Sequence, residues 1–277
     1  MALRVGRISY TNDLPIYSAF DEGAVAFPGT LVSDVPAKLN RMLLAGELDL
    51  SPISAFFYAQ HADELALLGD LCIGSRNEVW SVILASPVGP DALGGAAIAV
   101  TKESASGRNL LQVLLERRYG LKASFVEDDD ALTTAVSGSP ALLIGDSAID
   151  AQYALGPRGV YDLGSLWHEW TGLDMVYAVW AVRRDVLRER PAEVAAAFDA
   201  LRASRAWGLA NQARVIAAAE RVHARGEGFY AAYYETLNFS FDEQARAGLK
   251  RFVEESVLAG TLAAACPTEP EVVRVSS

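Results

Sequence analysis

Histidine and cysteine are almost missing from this chain, with three and two among 277 residues. His61, His168 and His223 are scattered, and none has the short spacing of a zinc site. Cys72 and Cys266 stand too far apart for a metal motif and are too few for a disulfide framework. They read as unpaired thiols of a reducing compartment. No dinucleotide fingerprint, P-loop or nucleophile elbow occurs. No stretch approaches the roughly 20 apolar residues that span a bilayer. The start, from Leu3 to Tyr10, lacks the apolar run and small-residue cleavage site of a signal peptide. The expectation is a cytoplasmic protein. Positive charge is also short: 24 Lys and Arg face 35 Asp and Glu, a net charge of -11 without any basic block. That argues against a nucleic-acid partner. An acidic protein can still hold an anion, provided it uses local devices such as helix N-termini.

What is present is a globular pattern, 51% hydrophobic and 21% charged. Leu3 to Ser9 alternates as a first strand, and Pro36 opens a helix with Leu39 and Leu43 on one side. The segment 47–54 reads as a short strand running into a helix near Ser54. Val79 to Ala85 and Met175 to Val182 are the strongest strand candidates. Between them strands and helices alternate: strands at 96–101, 123–127 and 141–144, helices at 108–119 and 131–136. This rhythm predicts a small parallel sheet with helices on its faces. After Pro191 the chain reads as almost wholly helical, over roughly 191–207, 209–225 and 242–258. The simplest α/β layout is an insertion. Lobe one comprises 1–87 and 178–277, lobe two comprises 88–177, and a ligand cleft lies between them.

Candidate site residues gather at predicted strand ends, where loops and helix N-termini expose backbone N–H groups. They are Asn12 after the first strand, Ser54 before a helix, Ser104 and Ser106 before the helix at Arg108, and Gly145-Asp146 after Ala141 to Ile144. Each has a plainer reading. Serines before helices are ordinary caps, as Asp146 would be, and Asn12 suits a turn. Glu47 and Asp49 share one strand face but equally fit an exposed edge. The acidic run 127–130 reads as a solvated helix start. His168 fits a packed loop or helix start, and Trp80, Trp167, Trp170 and Trp180 fit core positions better than a cleft.

An ordered set of motifs resembles a known family. It begins with Arg4-Val-Gly6-Arg-Ile-Ser-Tyr10-Thr-Asn12-Asp-Leu-Pro15, then Pro36-Ala-Lys-Leu39-Asn40, Gly46-Glu-Leu-Asp49 and Ile53-Ser54. It continues with Ser81-Val-Ile-Leu84, Ala141-Leu-Leu-Ile-Gly145-Asp146, Asp162-Leu-Gly-Ser-Leu-Trp167 and Trp170-Thr171-Gly172-Leu173. Through nearly the whole chain the sequence resembles the chorismate dehydratases of the futalosine route to menaquinone. Two positions depart from the family pattern: Ala55 where a second serine is common, and Asp174 where proline is common.

The resemblance implies a two-lobed, periplasmic-binding-protein-like (type II) fold with the ligand between the lobes. It implies loss of water from chorismate to give 3-(1-carboxyvinyloxy)benzoate, without a metal or organic cofactor. Ser54, Ser104, Ser106 and backbone N–H groups would hold the two carboxylates, and Ser81, Gly145 and Thr171 would complete the substrate site. Asn12 would orient the departing hydroxyl or the enolpyruvyl group. The base would be Asp146 or the substrate's own enolpyruvyl carboxylate, already oriented for the task. Three other readings share the fold: a non-catalytic binder of a small carboxylate, the sister enzyme that makes a dihydroxynaphthoate, and a ligand-sensing regulatory domain.

Overall fold

A computed structural model describes residues 2–102, 105–156, 159–269 and 271–273. The chain begins with β1 (Leu3–Ile8), a 3-10 turn (Thr11–Asp13) and α1 (Leu14–Asp21), then β2 (Gly29–Asp34), α2 (Pro36–Leu44), β3 (Leu50–Ser54), α3 (Ala55–Gln60) and β4 (Leu65–Ser75). A second group follows: β5 (Val82–Ala85), β6 (Ala97–Val100), α4 (Ala105–Val113), β7 (Ser124–Glu127), α5 (Ala131–Val136), β8 (Ala141–Ile144), α6 (Gly145–Leu155), β9 (Val160–Asp162) and α7 (Leu163–Thr171). The last group is β10 (Met175–Arg183), α8 (Arg184–Glu189), α9 (Pro191–Ala210), α10 (Gln212–Val222), α11 (Phe229–Thr236), β11 (Leu237–Phe241), α12 (Glu243–Leu258) and β12 (Val272–Val273).

Two sheets result. The first runs β11-β4-β10-β3-β1-β2, with β12 beside β4; the second runs β7-β6-β8-β5-β9. Strands β4 and β10 lie inside the first sheet with both faces covered, which is why β10 reads as a nearly unbroken apolar run. Helix α2 follows the amphipathic rule, with Leu39 and Leu43 turned into the core. Among the described residues no helix is long and apolar enough to cross a membrane.

Strand pairing departs from the sequence boundaries at two points, the first being Met175 to Tyr177, expected within 88–177 but part of β10 in the first sheet. Val82–Ala85, expected within 1–87, pairs antiparallel with β8 and β9 and so belongs to the second sheet. A fully apolar strand carries no mark of which sheet it joins, since only its partners decide. The chain passes between sheets twice, through 76–81 and 172–174. Five strands were not read from the sequence, namely β2, β4, β9, β11 and β12, and α11 was hidden in the helical tail.

Candidate active site

The cleft lies where the carboxyl ends of β1, β3, β6 and β8 meet the two crossings. Asn12, Ser54, Ser81, Ser106, Gly145 and Tyr177 are on its wall, with Tyr10, Val79 and Ala178. The space between the walls, counted out to the mouth, is about 630 Å³. Among the described residues, none on the wall carries a charged side chain. An anion there must rely on backbone dipoles and neutral donors.

One wall is clamped by two serines. Ser106 Oγ donates to Tyr177 O at 2.9 Å and accepts from the Phe56 N–H at 3.2 Å. Its contact with Ser54 Oγ, at 2.8 Å, must then have Ser54 as the donor, because a hydroxyl has one proton. Ser54 Oγ also caps α3, accepting from the Phe57 N–H at 3.3 Å, while the Ser54 N–H donates to Asn40 Oδ1 at 3.2 Å. Both hydroxyl protons are committed within the protein. Apart from the Gly145 N–H, which already donates to Ser81 O, the first-turn N–H groups of α4 and α6 have no acceptor in their own helix and can serve as backbone donors for an anion at the wall.

The opposite corner is built by α6. Gly145 opens this helix at φ +60, and its N–H donates to Ser81 O at 2.8 Å. A Cβ at Gly145 would stand 3.3 Å from the Tyr10 ring, so both the backbone and the close approach call for glycine. Opposite it, Asn12 Oδ1 is buried and has no donor among the described residues. A buried amide oxygen left in this way on a cleft wall is matched to a ligand that donates a hydrogen bond.

The first crossing carries local strain. Trp80 has φ +60, and the Ser81 N–H donates back to Val79 O at 2.7 Å, closing a γ-turn around a tryptophan. The Asp162 carboxylate holds this turn. It accepts from the Trp80 N–H at 2.7 Å, the Val79 N–H at 3.0 Å and, as the cap of α7, the Ser165 N–H at 2.9 Å. Burial raises the Asp162 pKa, and those three N–H bonds oppose the rise. The Trp80 carbonyl accepts from Gln152 Nε2 at 2.6 Å, and the indole stacks on Tyr233. Tyr233 in turn meets the Ser81 side chain. The turn therefore fixes Val79 and Ser81 on the cleft wall.

Of the sequence-predicted residues, Asn12, Ser54, Ser81, Ser106 and Gly145 meet in the cleft, while Ser104 lies outside the described residues. Thr171 is not on the wall. It ends α7, its Oγ1 donating to Trp167 O at 2.8 Å and accepting from the Leu173 N–H at 3.2 Å. Asp146 is beside the cleft but absent from its wall. Its Oδ1 accepts from Thr11 Oγ1 at 3.0 Å and lies 3.6 Å from Arg225 Nη2.

The remaining candidates are structural. Asp49 pairs with Arg4, and Asp130 caps α5. His168 rests in the last turn of α7, while Trp167 and Trp180 are fully buried. Ala55 and Asp174 are absent from the cleft wall. Sequence reasoning placed Tyr10 in a candidate loop with Asn12 but missed Tyr177, Asp162 and Arg225. Only Asp162 had an available signal, as an acidic residue at a strand end before a helix.

These features define a class: two sheets joined by two crossings, with a ligand cleft between them, as in the periplasmic-binding-protein fold. A crystal structure of a protein from Archaeoglobus fulgidus superposes with a TM-score of 0.73 at 22% identity, covering 94% of this chain and 98% of that one. The alkanesulfonate-binding protein SsuA from Xanthomonas axonopodis pv. citri, bound to MOPS, superposes with a TM-score of 0.71 at 16% identity, covering 98% of each chain. At such identities the likeness is one of fold.

Residues 3–256 match the model of the family described as menaquinone biosynthesis, and the chain belongs to that family. It is 36% identical to the chorismate dehydratase of Thermus thermophilus over 79% of this chain and 84% of that protein. It is 30% identical to the 1,4-dihydroxy-6-naphtoate synthase of the same organism, over 96% of this chain and 97% of that protein.

Proposed function

We propose that this protein is a hydro-lyase that converts chorismate to 3-(1-carboxyvinyloxy)benzoate and water. The observation that carries the reading is the cleft wall, neutral, with two helix N-termini and one unpartnered amide oxygen at Asn12. Chorismate brings two carboxylates and a ring hydroxyl, which match those donors and that acceptor. The identity to the Thermus thermophilus dehydratase supports the same choice.

The ring proton beside the ether oxygen leaves as H⁺, and its electron pair becomes the new ring double bond. The neighbouring C–O bond breaks, its hydroxyl departing with a proton as water, and the ring becomes aromatic. The charge that builds up as the proton leaves is conjugated to the ring carboxylate. N–H donors aimed at that carboxylate therefore lower the barrier. The first turns of α4 and α6 would supply them. The serine clamp then acts through shape, joining α3, α4 and β10, while Ser81 lines the wall. The Asn12 amide oxygen would accept from the departing hydroxyl and orient it.

For the base, the geometry around Asp146 favours the alternative, the substrate's own enolpyruvyl carboxylate, held against the proton it removes. Opening and closing would turn on the crossings at 76–81 and 172–174. Closure would exclude water and retain a labile substrate.

The test is direct. Purified protein is mixed with chorismate without added cofactor, while absorbance and product mass are followed. The reading requires an aromatic product lighter by one water, and Asn12→Ala should slow turnover by about 100-fold with the fold intact. Tight binding without turnover would favour a solute binder. Neither binding nor turnover would point to the sister synthase reaction.

A further inference from the structure

We infer that Arg225 is a positioning residue that acts through Asp146 to hold the α6 corner of the cleft against the turn carrying Asn12. The inference rests on the cleft being the substrate site. Arg225 lies between α10 and α11, in the part of the chain that returns to the first sheet. Asp146 and Asp150 lie on α6, which packs on the second. The Arg225 guanidinium pairs with the Asp150 carboxylate, donates to Asp146 O at 3.4 Å and stands 3.6 Å from Asp146 Oδ1. Thr11 Oγ1 donates to the same Asp146 oxygen at 3.0 Å, and the Thr11 carbonyl accepts from Tyr234 OH at 2.9 Å.

One carboxylate thus joins three separate segments: the turn after β1, the first turn of α6 and the segment before α11. The Arg225 side chain is 7% exposed, so this pairing is not a screened surface ion pair. The two sides of the cleft differ. On the α4 side, Asn109 Nδ2 donates to Ser256 Oγ at 2.7 Å and Arg117 pairs with Glu255 at 2.9 Å, so α4 and the turn after it are docked along α12. On the α6 side, the Thr11–Asp146–Arg225 group is the polar attachment to the first sheet's elements found among the described residues. Gly145 and Asn12 are both on the wall there, each adjacent in sequence to a member of that group. Their spacing, and with it the fit of a substrate anion between them, is set by Asp146 and Arg225. Neither side chain need touch the reacting atoms.

The experiment is steady-state kinetics with chorismate on the full chain, comparing Arg225→Met, Arg225→Lys, Asp146→Asn and the Arg225→Met/Asp146→Asn double variant. Positioning predicts KM raised by about 10-fold or more in R225M and D146N, with kcat kept within about threefold. R225K should recover most of the KM, and the double variant should be no worse than the weaker single variant, because the two residues act as one unit. The inference is overturned if R225M leaves KM unchanged, if the two substitutions add independently, or if D146N abolishes kcat at saturating chorismate with KM unchanged. The last result would make Asp146 the base. If the wild type does not turn over chorismate, the functional reading fails. The pair is then judged by small-angle scattering: a larger radius of gyration in R225M than in the wild type supports it, and an unchanged one overturns it.

Discussion

Asn12 and Asp13 are neighbours in one turn and have opposite tasks. Asn12 presents to the cleft an amide oxygen with no partner among the described residues. Asp13 is buried behind it, and its Oδ2 accepts from the Ile8 N–H at 2.9 Å, which ties the turn to the end of β1. Burial pushes the Asp13 carboxyl up to about 8, against the opposing pull of Arg7 and the Ile8 N–H. In the unfolded chain the group would titrate near 3.8. Between those values the folded state binds the extra proton, so Asp13 favours the fold below the window and loses that advantage as pH rises through it. Its slope is at most about 1.4 kcal/mol per pH unit. Asp13→Asn should flatten this fall, since the amide can still accept from Ile8 without having to ionise. Urea denaturation of both proteins from about pH 5 to pH 8 checks this, and parallel slopes would contradict it. At this scale the sequence reading found Asn12, because a polar residue after an alternating strand is visible locally. It could not find what Asp146 does, because the partners Thr11 and Arg225 lie 135 and 79 residues away.

Elements are held in place by a few side chains at their ends. Asp162 is the clearest case, since it caps α7 and also fixes the strained turn of the first crossing. A Cβ at Gly164 would stand 2.4 Å from Asn77 O, so the first turn of α7 is packed directly on that crossing. Asp162→Asn would turn an amide NH₂ toward at least one backbone N–H and lose its bond. We expect a loss of about 2 kcal/mol, measured by denaturant midpoint, together with a higher KM as Val79 and Ser81 shift. Unchanged stability with unchanged KM would contradict the role given to Asp162. The strands that escaped the sequence reading have physical reasons for doing so. β4 is buried on both faces and shows no alternation. β2 is half-exposed, with little apolar content to mark it. β11 sits among helical segments and is a strand because β4 offers it an edge. The shift of Val82–Ala85 into the second sheet has the same cause.

For the whole molecule, a net charge of -11 and the proposed anionic substrate are reconciled by the neutral cleft wall and its helix N-termini. A ligand that engages both lobes should stabilise the fold. Chorismate at about 100 times its dissociation constant should add about 2.7 kcal/mol, read as an upward shift in the melting midpoint. Benzoate, with one carboxylate and no ring hydroxyl, should add less at equal concentration. Equal shifts would mean that the second carboxylate and Asn12 contribute nothing to recognition.

The sequence by itself determined the class of the molecule. Strand and helix periods are set by neighbours two to four residues apart, so the alternation and the ordered family motifs could be read along the chain. Composition made a metal site implausible for the same reason, since the ligand types and spacings were not there. Tertiary structure alone decided which groups the side chains around the cleft meet. It committed the protons of Ser54 and Ser106 to one another and to Tyr177, moved Thr171 to a helix end, and gave Asp146 a hydroxyl and a guanidinium as partners. Those outcomes depend on which distant groups meet across the cleft, and no local pattern encodes such a meeting.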